Sequence, residues 1–116
     1  MKPLSLTPEV SAHCYEMVIA ASPTLQGWNL PGSDDIKFMV VSSKRFYGRY
    51  KYDGGTRIIE VSKTSVRTFP TLVCTIIHEI VHLHQCMLDI PVADDLFFDS
   101  CADRLCKELM LDRGTF

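Results

Sequence analysis

The chain is 116 residues long, 47% apolar and 22% charged, with a net charge of −2. That size favours a single domain spanning residues 1–116 around one core, and the composition excludes a disordered chain. The charge gives no electrostatic support for a nucleic-acid partner or an anionic membrane surface, and no apolar run approaches the roughly 18 residues of a membrane span.

At the N-terminus, "MKPLSLTPEV" has one lysine but no apolar stretch behind it, so no signal peptide is expected. Five cysteines, Cys14, Cys74, Cys86, Cys101 and Cys106, make an odd count without a C-x-x-C pair. A disulfide framework favours an even set placed in loops, so the expected compartment is a reducing cytoplasm.

The first element is a helix that starts with Thr7 as cap and Pro8 at its first position. Val10, Cys14, Met17, Val18 and Ala21 follow a helical spacing and are expected to face inward. "SPTLQGWNLPGSDD" reads as a loop by its Pro, Gly, Ser and Asn content. Ile36 to Ser42 is β-rich and apolar enough for the interior of a sheet. "RFYGRYKYDGGTRIIEVS" reads as two strands joined at Asp53-Gly54-Gly55, where glycines supply the positive φ of a tight hairpin. Alternation places Phe46, Gly48, Tyr50 and Tyr52 on one face of its first strand and Tyr47, Arg49 and Lys51 on the other.

From Pro70 to about Leu88 the apolar residues run nearly all round a helix, the mark of a buried central element. Ile90-Pro91 is expected to end it. A last helix begins at about Asp94 or Asp95, with Leu96, Phe98, Ala102, Leu105, Cys106 and Leu109 as its apolar side and Gly114 as its stop. The order α-β-β-β-α-α defines an α+β domain.

Inside the central helix lies "TIIHEIVHLHQ", residues 75–85. His78 and His82 are four residues apart, so they stack one turn above each other on one face. Two imidazoles so placed can ligate one Zn²⁺, and Glu79 beside them can act as general base on a metal-bound water. This is the H-E-x-x-H pattern of metal-dependent hydrolysis. A satisfied polar cluster is the alternative, but two histidines and a glutamate are costly to bury without partners. His84 lies on the opposite side of the helix and cannot join the same metal. It reads as a surface or sheet-packing residue, and His13 likewise.

A hydrolytic zinc site needs a third protein ligand and an open fourth position. The continuation that adds a histidine six residues after the second one is absent, since Gln85 and Leu88 stand where glycine and histidine are required. No histidine follows His84, so the third ligand is a carboxylate among Asp94, Asp95, Asp99 and Asp103, or a group from upstream. A helix N-cap is the competing role for Asp94 and Asp95.

Residues Ile36 to Met110 resemble the SprT-like zinc metallopeptidase domain. The hairpin "YGRYKYDGGTRIIEVS", the helix "TFPTLVCTIIHEIVHLHQ" and the spacing Phe98, Ala102, Leu105 in the last helix carry the resemblance. It covers about two thirds of the chain. It implies a zincin-like minimal domain: a small antiparallel or mixed three-stranded sheet on a central HExxH helix, with one helix before and one after. It also implies one Zn²⁺ per chain and a polypeptide substrate. In that family the last helix usually begins H-G-x-x-F, its histidine being the third ligand. Counting back from Phe98, that place is held here by Asp94.

Two functions are therefore expected. One is a zinc-dependent endopeptidase with His78, His82 and Asp94 on the metal, Glu79 as base, and Tyr47, Arg49 or Tyr50 as substrate-binding residues. The other is a non-catalytic, zinc-stabilised interaction module. Glu79 favours the enzyme, because a closed structural site has no use for a free glutamate beside two ligands.

Overall fold

Each helix starts where a side chain satisfies an otherwise orphaned backbone N–H. In the computed structural model, which describes residues 4–116, Thr7 Oγ1 accepts from Val10 N at 3.1 Å and Pro8 occupies the first turn of α1 (Pro8–Ala21). The first three residues of the segment read for a leader lie outside the described residues. The buried face of α1 is Ser11, Cys14, Tyr15 and Val18, while Met17 is 45% exposed and Ala21 also faces solvent. The inward face is thus rotated from the expected one. Tyr15 is the cause: its ring meets Phe38 edge-on at 5.6 Å and its hydroxyl donates to the Pro31 carbonyl.

The segment read as one loop contains a single-turn helix, α2 (Pro23–Gln26), and a 3-10 turn at Ser33–Asp35. Ser22 is the signal that was overlooked. It caps α2 through Leu25 N, with Pro23 directly behind it.

Three strands follow: β1 (Ile36–Val41), β2 (Gly48–Asp53) and β3 (Thr56–Ser62). The sheet order is β1-β3-β2, with β1 parallel and β2 antiparallel to β3. The hairpin is as expected, with Gly54 at φ 57° and Gly55 at φ 85° between the paired residues Asp53 and Thr56. Strand β2 starts later than the alternation implied, at Gly48, so Phe46 leaves the strand face and lies under the Arg49 guanidinium at 4.6 Å. Tyr52 is also solvent-exposed, with Arg57 stacked over its ring.

Helix α3 (Phe69–Met87) crosses the sheet and forms the middle of the core. Leu72, Ile76, Ile77, Ile80, Val81 and Leu83 are all fully buried. Its end is set by Asp89 rather than by Pro91. Asp89 takes φ 56°, and Ile90 N bonds back to Gln85 O at 2.8 Å, a Schellman closure. Helix α4 (Asp95–Leu109) ends the same way, at Met110 with φ 58° and Leu111 N on Cys106 O, four residues before Gly114. Leu96, placed on its apolar side by the pattern, is 85% exposed; Ala102, Leu105 and Cys106 are the buried set. The fold is α+β, with a mixed three-stranded sheet and four helices.

Candidate metal centre

The site is assembled where β2 crosses α3. Gly48 makes the crossing possible: a Cβ there would lie 2.6 Å from Thr75 Cγ2 and 3.2 Å from Glu79 Oε2. Contacts this close leave no room for a side chain, so the strand backbone rests directly on the helix turn that carries His78 and Glu79.

Glu79 is only 4% exposed. Burial pushes its carboxyl up to about 8, against the opposing pull of a hydrogen bond from the Tyr50 backbone N–H. His78 and His82 are half-buried, their ring centroids 5.0 Å apart. Burial and the neighbouring His82 hold His78 below the usual histidine range, which keeps its nitrogen lone pair available. Phe98 of α4 lies against both rings, with centroids at 4.7 Å from His78 and 5.0 Å from His82. Phe116 adds a second ring at 5.6 Å from His78. The imidazoles thus stand in an aromatic enclosure that restricts their rotation.

Gln85 was read from sequence only as an absent glycine. In the fold it is fully buried and organises the site. Its Nε2 donates to the carbonyls of Pro91 and Asp94 at 3.2 and 3.4 Å, so its Oε1 is the acceptor facing His82 Nδ1 at 2.8 Å. Nδ1 of His82 therefore carries the proton, and Nε2 presents a lone pair. Hydrogen bonds of this kind, to the ring nitrogen that does not face a metal, fix ring orientation and tautomer at metal-binding histidines. The same amide ties His82 to the turn that leads into α4. A glutamine one turn behind the second histidine's own face was the available signal, but its role depends on a loop that the sequence alone does not place.

Asp94 sits at the head of α4 and is exposed, its Oδ1 accepting from Phe97 N at 3.1 Å. Asp95 is also exposed, and Asp99 and Asp103 both pair with Arg113 at 2.7 Å. Among the described residues, no group of three or more His, Cys, Asp or Glu side chains is gathered at metal-binding spacing. The donors present fit two positions of a zinc site, with one tautomer set; the carboxylate expected to complete it is engaged in capping. His84 is on the far side of α3 as expected, but it packs neither on the sheet nor in solvent. It stacks on Trp28 at 3.8 Å with an interplanar angle of 2°, and Phe97 flanks it at 5.8 Å.

Two recesses meet at Gly48, His78 and Glu79. The larger, about 750 Å³, runs between Phe46-Tyr47 and the first turns of α3 and is closed by Phe116. The smaller, about 330 Å³, continues past Arg49, Tyr50 and His82 to Val92 and Ala93. Of the three substrate-binding candidates, Tyr47 is 58% exposed at the larger recess. Arg49 is tied to Glu60 at 2.8 Å, and the Tyr50 hydroxyl accepts from Arg57 Nη1 at 2.8 Å. Burial raises the Tyr50 phenol to about 12.

No protein-family model, curated protein or solved structure matches this chain.

Proposed function

We propose that this chain is a small zinc-dependent endopeptidase. One observation carries the reading: a buried glutamate with no cationic partner among the described residues sits beside two half-buried imidazoles at the point where two substrate-sized recesses meet. A glutamate kept for structure alone would be expected to have a cationic partner or an exposed position.

His78 and His82 would hold the metal, with Gln85 fixing the His82 ring. Asp94, whose Oδ1 caps Phe97 N, would be the carboxylate to complete the ligand set. Bound zinc supplies a Lewis acid that polarises the scissile carbonyl and acidifies a water. Glu79 would be the general base beside that water and the group that returns the proton to the departing amine.

Strand β2 lies at an edge of the sheet, so its outer backbone, apart from the Tyr50 N–H bound to Glu79, is open to an extended polypeptide by strand addition. Tyr47 is the residue best placed to meet that substrate. The test joins two measurements on protein purified without chelator. Elemental analysis should find about one zinc per chain, and an unfolded protein substrate should be cut by the parent but not by Glu79→Gln. Protein that neither carries zinc nor takes it up on addition would sink the proposal.

A further inference from the structure

Charge is distributed very unevenly over the molecule. Residues 36–68 contain eight of the twelve Lys and Arg but only two acids, Asp53 and Glu60. Against a chain total of −2, that segment has a surplus of six positive charges and the remainder a surplus of eight negative ones. Not all of the cations are available. Arg49 and Lys51 are committed to the buried Glu60, and Arg57 to Tyr50 and Tyr52. Lys44, Arg45, Lys63 and Arg67 are exposed, and among the described residues none of them is in an ion pair.

These four belong to two loops that are bound together. Ser62 Oγ donates to Ser43 O at 2.6 Å, Ser65 Oγ donates to the same carbonyl at 2.9 Å, and Lys63 N bonds to Val41 O at 2.9 Å. The two loops lead directly into the walls of the larger recess, Phe46-Tyr47 on one side and Pro70-Thr71 on the other. That recess has aromatic and small polar walls, and no Lys, Arg or Asp is among the described residues that line it. The opposite end of the groove is acidic. Val92 and Ala93 border the smaller recess, and residues 88–103 around them hold five aspartates and no Lys or Arg; Asp99 and Asp103 pair with Arg113, which leaves Asp89, Asp94 and Asp95 outside any ion pair among the described residues.

Resting on the peptidase reading, we propose that the groove selects polypeptide segments with a polarised charge. A bulky apolar side chain fills the aromatic recess, acidic residues beyond it lie on Lys44, Arg45, Lys63 and Arg67, and the α4 side receives neutral or basic residues. A nucleic acid fits this arrangement poorly. Its charge is negative along its whole length, so a strand following the groove would run from the basic loops onto the aspartates of α4. Such charges at the rim of a site govern specificity and encounter rate more than total affinity, and they are screened by salt.

The experiment uses zinc-loaded Glu79→Gln protein, which reads docking without turnover, and fluorescein-labelled peptides followed by anisotropy. Each peptide has a central Phe flanked by four Glu on one side and four Lys on the other, in both sequence orders, beside a peptide with mixed charges. One polarised order should bind on the order of tenfold more tightly than its reverse in about 20 mM salt, and the difference should shrink in about 150 mM salt. Replacing Lys44, Arg45, Lys63 and Arg67 together by Gln should abolish the difference, whereas exchanging Lys and Arg among the four positions should preserve it. Circular-dichroism melting of both variants separates loss of docking from loss of fold. Equal affinity for the two orders would overturn the inference, as would a single-stranded oligonucleotide binding more tightly than either peptide. If polarity is read in binding but the parent chain cuts none of the peptides, the docking inference stands and the peptidase reading falls.

Discussion

Helices α3 and α4 are built with the same local devices and serve the site in different ways. Each begins at a side-chain cap, Thr68 or Asp94, and each ends at a non-glycine residue in the left-handed region, Asp89 or Met110. Between those ends α3 is buried on nearly every side, whereas α4 buries only Ala102, Leu105 and Cys106. The turns that carry His78 and His82 therefore sit on the most firmly held element of the molecule. Asp94, proposed as the third ligand, and Phe98, which covers both imidazoles, come from an element held along one narrow stripe. A site so divided combines a rigid half that sets geometry with a half that can adjust when a metal or substrate arrives, because local opening free energy falls with the number of buried apolar contacts.

The largest effect expected is on chemistry at the rigid half. Glu79→Gln should lower peptide hydrolysis by about 10²–10⁴-fold while leaving zinc content unchanged, the range associated with a lost general base. Zinc lost together with activity, seen by elemental analysis of the variant, would mean that Glu79 is a ligand instead.

Next comes stability. Ile76→Ala should cost about 2–5 kcal/mol in denaturant unfolding, because a fully buried aliphatic side chain leaves a cavity in a packed core. Leu96→Ala in α4 should change stability by about 0.5 kcal/mol or less, since that side chain is almost entirely solvated. Comparable losses in the two variants would erase the contrast between the helices.

Glu79 also makes metal-free protein sensitive to pH. Its folded carboxyl is raised from 4.5 to about 8, so the folded state binds the proton more tightly than the unfolded one. The stabilising contribution is complete below the unfolded value and is lost as pH rises through the folded one, between about 4.5 and 8. The loss is on the order of 5 kcal/mol, and Glu79→Gln should remove it. Urea titrations of parent and variant at several pH values in that window measure the difference. Parallel pH profiles would show that the buried carboxyl keeps its ordinary proton affinity.

Gln85→Leu removes the bridge between the two helices' ends. Zinc affinity should fall by about 10- to 100-fold, the usual cost of losing an orienting partner of a ligating histidine. Competition with a chromophoric chelator measures it. An unchanged affinity would show that the aromatic enclosure alone orients His82.

The smallest effect on stability is expected at the adjustable half. Asp94→Asn should alter stability by only a few tenths of a kcal/mol, because asparagine caps a helix about as well as aspartate, with ~1 kcal/mol lost only when the cap is removed altogether. The same change should weaken zinc binding sharply, and Asp94→His should restore it. If Asp94→Asn holds zinc as tightly as the parent while Asp99→Asn does not, the third ligand lies one turn further into α4.

Local chemistry was legible in the sequence wherever a few neighbouring residues decide the outcome. Thr7-Pro8 starts a helix because a hydroxyl and a fixed φ act within one turn, and Gly54-Gly55 turns a hairpin because only they take positive φ without cost. The i, i+4 spacing of His78 and His82 and the all-round apolar pattern of α3 follow from helical geometry alone, and both are present in the fold. What tertiary structure decided were the relations between distant segments. Gly48 is one more strand residue until its missing Cβ is found to face Thr75 and Glu79, and Gln85 is one more helix residue until its amide meets a turn six to nine residues later. The rotated face of α1 and the exposed Leu96 have the same origin. Periodicity tells which residues can share a face, but the partner that packs there selects which face is buried.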